Sequence, residues 1–177
     1  MRKLIRIWGR VVVQLREITI SDAKPFLQLQ LQLDKEASYM LYEPGERTTT
    51  VREQRKAIAD IQQSPSSTIF VAEHDKKLIG YLSVFGSRLQ RIRHVGYITI
   101  GILEDYCNRG LGRKLLEKAD HFAQSVQLHR LELTVIEENA RALHVYQKCG
   151  YEQEGVRRRA IRHGHKWLNE IYMGKLL

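Results

Sequence analysis

Between Ile98 and Val126 the spacing of apolar residues changes from two to a helical three or four, across a segment that contains two glycines. Ile98, Ile100 and Ile102 alternate with other residues, which places them on one face of a strand over 94–103. From Leu111 the apolar positions are Leu115, Leu116, Ala119, Phe122, Ala123 and Val126, so a helix is expected to about residue 127. A strand that passes through Tyr106-Cys107-Asn108-Arg109-Gly110-Leu111-Gly112-Arg113-Lys114 into a helix demands a fold in which helices pack back on a sheet.

The flanking segments extend this pattern. Residues 11–18 are rich in β-branched side chains and read as a strand. Ser21 and Asp22 can cap a helix over 23–34, with Pro25 in its tolerant first turn. Residues 39–50 read as a loop, and Thr48, Thr49 or Thr50 can cap a second helix over 51–63. Runs over 68–73 and 78–85 form a hairpin. After the glycine segment come a strand over 130–135, a helix over 139–149 stopped by Gly150, and two strands, 151–156 and 167–176, around a basic turn. The order is β-α-α-β-β-β-α-β-α-β-β, an α/β domain on one mixed sheet.

At 177 residues, 43% of them apolar and 28% charged, with 3 Pro and 12 Gly, the chain has the composition of one globular domain, not of a disordered or collagenous polymer. No run approaches the roughly 18 apolar residues that span a bilayer, and Arg6 and Arg10 interrupt the only secretory-like stretch. Cys107 and Cys149 have no metal-type spacing. A cytoplasmic protein with reduced thiols, no metal and no membrane partner is the expectation. The net charge of +9 is carried by two acid-free segments: Arg2, Lys3, Arg6 and Arg10 in 1–10, and Arg157, Arg158, Arg159, Arg162 and Lys166 in 155–166. The remaining residues hold 20 basic and 20 acidic side chains, so a uniformly basic nucleic-acid-binding shell is excluded. Residues 1–10 read as a basic extension and 11–177 as the domain.

The glycine segment has the make-up of an anion site. Glycines at a strand-to-helix junction let backbone N–H groups approach a ligand, and the first helical turn offers unpaired N–H groups at the positive end of the macrodipole. Arg109, Arg113 and Lys114 add cations there, which suits a ligand with several phosphate charges. A Walker A loop is disfavoured because no hydroxyl residue follows Lys114. A dinucleotide fingerprint lacks its third glycine, since Leu115 stands there, although Glu132 imitates its ribose-binding acid. A pyrophosphate cradle for coenzyme A and a plain glycine turn remain.

A second constellation separates them: Asn139-Ala140-Arg141-Ala142-Leu143-His144-Val145-Tyr146-Gln147-Lys148-Cys149-Gly150-Tyr151, after the strand. With both segments in this order, the chain resembles the GNAT family of N-acetyltransferases. Gly110 and Gly112 match the family's Gln/Arg-x-x-Gly-x-Gly/Ala loop, and Asn139, Ala142, Tyr146 and Gly150 match its later Asn-x-x-Ala-x-x-Leu-Tyr-x-x-x-Gly-Phe pattern, with Val145 for Leu and Tyr151 for Phe. The resemblance covers roughly 11–177 and implies a single-domain GNAT-like fold, a mixed, mostly antiparallel central sheet flanked by helices. It implies acetyl-CoA as co-substrate, held by Asn108, Arg109, Gly110, Leu111, Gly112, Arg113, Lys114, Asn139 and Ala142, with the pantetheine arm along Ile100, Gly101 and Ile102. It also implies Tyr146 as donor to the leaving thiolate. Cys107 departs from the loop pattern, removing one customary contact; a helix start beside it could lower its pKa and give it a redox role, against a bystander thiol.

The resemblance implies direct attack by an amine, which at neutral pH is protonated and needs a base or water relay. The strand over 94–103 has no acid, so the base is left open among His94, Tyr97, Thr99, Glu36 and Glu43; His144 faces elsewhere and reads as structural. The acceptor is a primary amine of a small molecule or protein, and the basic segment 155–166 hints at an anionic one. Homodimerisation is common in such folds and is an expectation here. Two rival classes are a non-catalytic acyl-CoA-binding or regulatory module, which the missing acid and Cys107 would favour, and a nucleic-acid-binding module using the basic ends.

Overall fold

In the structure, a computed structural model that describes residues 3–8 and 11–177, alternating side chains of a single sheet sort the apolar residues into two layers. The strands are β1 (Lys3–Trp8), β2 (Val11–Glu17), β3 (Thr68–His74), β4 (Lys77–Gly86), β5 (Val95–Ile102), β6 (Arg130–Ile136), β7 (Glu152–His163) and β8 (Lys166–Leu176). The helices are α1 (Ala23–Glu36), α2 (Val51–Gln62), α3 (Leu111–Ser125) and α4 (Ala140–Lys148). The eight strands lie in the order β1-β2-β3-β4-β5-β6-β8-β7. Every neighbouring pair is antiparallel except β5 and β6, which α3 joins as a parallel crossover.

Phe70, Ala72, Leu82, Val84, Ile98, Leu131 and Leu133 pack with Leu111, Leu115 and Leu116 of α3 on one face. Ile69, Val71 and Tyr81, of opposite parity on β3 and β4, pack with Phe26, Leu29 and Leu33 of α1 and Ile58 of α2 on the other. The α/β class and mixed, mostly antiparallel sheet expected from the sequence are present, and a helix covers each face.

Three local readings change. Of residues 1–10, taken as a basic extension, Met1, Arg2, Gly9 and Arg10 lie outside the described residues, while Lys3–Trp8 pairs with β2 as an edge strand. Leu4, Ile5, Ile7 and Trp8 are strand formers whose signal the interspersed charges mask. The basic turn at 155–166 is mostly strand: Arg157, Arg158, Arg159 and Arg162 all lie in β7, and only Gly164 and His165 turn. The pairing holds because Arg157 sits opposite Glu170, and Arg159, at φ 53°, bulges out while its N–H donates to Asn169 Oδ1 at 2.9 Å. α1 starts at Ala23 as expected, but Asp22, its N-cap, gives it no side-chain bond. Asp22 instead accepts from the Thr19 N–H at 2.7 Å and closes a 3₁₀ turn over 20–22. Thr50 is the cap of α2, in a reciprocal box with Glu53.

Asp22 also anchors β2. Arg16 reaches both of its carboxylate oxygens, at 2.7 and 2.8 Å, and bonds Glu73 of β3 as well. Burial pushes the Asp22 carboxyl up, but the Arg16 and Thr19 hydrogen bonds outweigh it and hold the group below the ordinary carboxylate range. A depressed carboxylate adds stability that is present above its unfolded pKa of about 3.9 and is lost as pH falls through the lower folded value. Asp22→Asn is therefore expected to lower stability at pH 7 and to flatten the decline below about pH 4, read by urea unfolding at several pH values. An unaltered acid limb would show that Asp22 is not its source.

Candidate active site

The β5–β6 pairing is short. It joins Val95 to Arg130, Gly96 to Leu131 and Tyr97 to Glu132, then stops, whereas β5 stays paired with β4 as far as Ile102. Beyond Tyr97 the two strands diverge, leaving the β6-facing edge of β5 open over Ile98–Ile102. Ile100, Gly101 and Ile102 all border this opening.

Two helices approach it from the α3 face. The chain leaves β5 through a 3₁₀ turn at Glu104–Tyr106, then Asn108 at φ 57° and Gly110 at φ 78° swing it into α3. Gly110 is the N-cap and supplies no side-chain bond, so the N–H groups of Leu111, Gly112 and Arg113 head the helix without a capping side chain. A Cβ on Gly110 would project into open space, and one on Gly112 would touch Ile102 at 3.6 Å and Val145 at 3.8 Å. The loop, the end of β5 and α4 thus converge. The donor set fits a pyrophosphate: open N–H groups, a helix N-terminus, and cationic Arg109, Arg113 and Lys114. Arg113 and Lys114 share the exposed Glu117, and Arg109 lies over the Tyr106 ring.

α4 brings Tyr146 to the opening. Asn139 caps the helix, its Oδ1 accepting from the Ala142 N–H at 3.1 Å, and Tyr146 lies about two turns on. Ala142 is half-buried against the same core. Tyr146 is 7% exposed, and its ring meets Tyr151 edge-on at 5.9 Å. Burial, with a smaller electrostatic push from Tyr97, drives its phenol far above the usual value. It therefore stays protonated near neutral pH, with a proton it can donate. A lowered pKa for Cys107 is corrected: burial pushes its thiol up, and Sγ points back at the carbonyls of Ile102 and Leu103. That removes the basis for a redox role.

The candidate bases scatter. His94 precedes β5 at its closed end, where its carbonyl accepts from His129 and Arg130. Thr99 is bonded to Ser83 at 2.5 Å. Glu36 receives Gln32 and the Glu104 N–H, and Glu43 pairs with His163 at 3.2 Å. Tyr97 alone stands at the apex of the opening, and its hydroxyl lies 2.9 Å from Thr134 Oγ1. The sequence reading missed Thr134 and Glu170, which continue this contact. An acid and a hydroxyl residue at inward-alternating positions of adjacent strands are the only signal, and it needs the register to be seen.

A cleft of about 450 Å³ lies on the α1 side, lined by Tyr39, Glu138, His163, His165, Lys166 and Leu168. The loop over 37–50 forms one wall. It is fastened by Arg47, which bonds both oxygens of buried Asp34 at 2.6 and 3.0 Å and lies over the Tyr42 ring. Among the described residues there is no cluster of metal-ligating side chains, and no helix is long and apolar enough to cross a membrane.

An interrupted parallel pair, a bare helix start and a buried tyrosine converge at this opening, and comparisons with known proteins give the family. The acetyltransferase (GNAT) family profile matches residues 33–151. An L-amino acid N-acetyltransferase of Escherichia coli is 31% identical over 117 residues, 63% of this chain and 70% of that one. A spermidine N(1)-acetyltransferase of Vibrio cholerae is 28% identical over 119 residues, 67% of this chain and 66% of its own length. A GNAT-family acetyltransferase structure from Streptococcus pneumoniae superposes with a TM-score of 0.90 at 29% identity, over 93% of this chain and 99% of that one. The chain belongs to the GNAT family of acetyltransferases, which draw the acetyl group from acetyl-CoA.

Gly112→Ala adds only ordinary contacts, so it should keep the fold and much of the CoA affinity. Gly112→Trp fills the space between Ile102 and Val145 and is expected to weaken CoA binding at least about tenfold in calorimetry, or roughly 1.4 kcal/mol. Undiminished affinity in the tryptophan variant would remove the loop from the site.

Proposed function

We propose that this chain transfers the acetyl group of acetyl-CoA by direct attack to a primary amine of a small molecule or a protein. The observation that carries the reading is the open edge of β5, bordered by the uncapped start of α3 and by Tyr146. The N–H groups of Leu111, Gly112 and Arg113, with Asn108, Gly110, Arg109 and Lys114 around them, would hold the pyrophosphate. Ile100 and Ile102, on either side of Gly101, turn their backbone groups to the open edge, where the amide-bearing pantetheine arm could pair with them alongside Asn139 and Ala142 on α4.

The chemistry asks two things of the protein. An alkyl ammonium of pKa about 10.4 must be deprotonated, which at pH 7 costs about 4–5 kcal/mol. The departing thiolate must be met by a donor. Tyr146, buried and protonated, would supply it.

The cleft walled by Tyr39, Glu138, His163 and Lys166 suits the acceptor. Its basic hairpin favours an amine that carries a carboxylate, as an amino acid does, over a polyamine. One relative's name points to amino acids and another's to spermidine, so both belong in the acceptor panel. We take the enzyme to work in the cytoplasm, as a homodimer.

Thiol release from acetyl-CoA, measured with L-amino acids, spermidine and short peptides, tests the reading. Release that depends on an amine supports it; CoA binding with no amine-dependent release would favour the non-catalytic acyl-CoA module. Tyr146→Phe is expected to lower kcat by roughly 10²-fold while the acetyl-CoA Kd stays within a few-fold. Wild-type turnover in that variant would take Tyr146 out of the mechanism.

A further inference from the structure

The attacking nitrogen must lose a proton, yet β5 carries no carboxylate. The structure offers one on another strand. Tyr97 of β5, Thr134 of β6 and Glu170 of β8 lie on the sheet face opposite Ile98, Leu133, Val135 and Ile171, which are packed against α3 and α4. The Tyr97 hydroxyl is 2.9 Å from Thr134 Oγ1, and Thr134 Oγ1 donates to Glu170 Oε1 at 3.1 Å. The other carboxylate oxygen, Oε2, accepts from Arg157 of β7 at 2.6 Å.

The direction of this chain follows from counting protons. A threonine hydroxyl has one hydrogen, and here it is committed to Glu170. The hydrogen between Tyr97 and Thr134 must then come from the phenol. Tyr97 therefore turns its proton toward Thr134 and keeps oxygen lone pairs for a new donor. It does so at the last residue of β5 that pairs with β6, where the opening begins. Leu168, two residues before Glu170 and on the same strand face, lines the cleft.

We propose that Tyr97, Thr134 and Glu170 form a proton relay, with Tyr97 as the catalytic residue that meets the amine and the other two passing its proton on. The inference rests on the amine acetyltransfer reading above. The ammonium first gives a proton to the Tyr97 oxygen, while the Tyr97 proton goes to Thr134 Oγ1 and the Thr134 proton to Glu170 Oε1, which releases it to solvent. The free amine then attacks. As the nitrogen–carbon bond forms and the carbon–sulfur bond breaks, the nitrogen's second proton leaves by the same path. The sulfur departs with the bonding pair and takes the Tyr146 proton. Glu170 releases that second proton and Tyr146 regains one from solvent, so ammonium and thioester become amide, thiol and one proton.

The surroundings keep Glu170 the receiving end. Arg157 is the cation that faces it. Glu132, next on the same face of β6, is occupied by Arg130 at 2.9 Å and by the Tyr172 hydroxyl at 3.1 Å. Glu137, after β6, is bound to Asn169. Glu170 has a side chain 12% exposed, enough to return its proton to water.

Thr134→Val removes the middle carrier at nearly constant volume and leaves the Glu170–Arg157 pair in place. With the amine that the wild type acetylates fastest in the panel above, kcat is expected to fall roughly 10²-fold at pH 7 at unchanged acetyl-CoA KM. The deficit should shrink as pH rises toward the amine's own pKa, where free base is already abundant. Thr134→Ser should recover most of the rate. Glu170→Gln should match Thr134→Val, and the double variant should be no slower than either, because the two residues serve one path. Thermal melting and CoA calorimetry establish that each variant is folded. A wild-type rate in Thr134→Val, an equal deficit at every pH, or multiplied losses in the double variant overturn the relay alone. A wild type that acetylates no amine overturns the acetyltransfer reading instead.

Discussion

The site depends on β5 and β6 being held together at one end and apart at the other. The closed end relies on an absent side chain. A Cβ on Gly96 would come within 2.9 Å of side-chain methyls of Leu128 and Leu131 and 3.0 Å of one on Val84, so any larger residue must push these core methyls aside. At the other end Tyr97, Thr134 and Tyr146 occupy the gap, and no backbone partner reaches across. An unpaired buried peptide group costs on the order of 1–3 kcal/mol, so an open edge inside a sheet persists only where surrounding contacts impose it. The amide groups of a pantetheine arm are of the kind that could satisfy such an edge.

The two faces of the sheet divide the labour around this gap. On the α3 face, α3 and α4 bring a helix start and a tyrosine donor to the opening. On the α1 face, the tethered loop over 37–50 and the β7–β8 hairpin form a cleft where an amine could enter. Arg141 and Glu104, joined by two bonds at 2.8 and 3.0 Å, tie the start of α4 to the turn after β5. The pair is exposed and adds little stability in water.

Much of this was legible in the sequence because it is local. The period change into α3, the glycines that permit positive φ and the asparagine that caps α4 are all signals within a few residues of their effect. Tyr146 was reached through the family pattern it matches, whose spacing from Asn139 the helix keeps. The Tyr97–Thr134–Glu170 line could not, since its links join residues 37 and 36 positions apart and appear only once three strands are in register. β1 and the arginine-bearing part of β7 were hidden differently. Their charges read as turn or leader, whereas an edge strand tolerates charge because one side of it meets water.

That last feature bears on how the chain behaves in a crowded solution. The sheet ends on β1 and β7, and the segments that hold them carry the excess behind the +9 charge. Each edge has free peptide groups that another molecule's edge could zip onto. Arg157, Arg158, Arg159 and Arg162 on the β7 border make that approach repulsive, and the bulge at Arg159 breaks the straight run a foreign strand would need. The same charge that suggests an acidic guest at the cleft thus also keeps copies of the sheet from growing into one another.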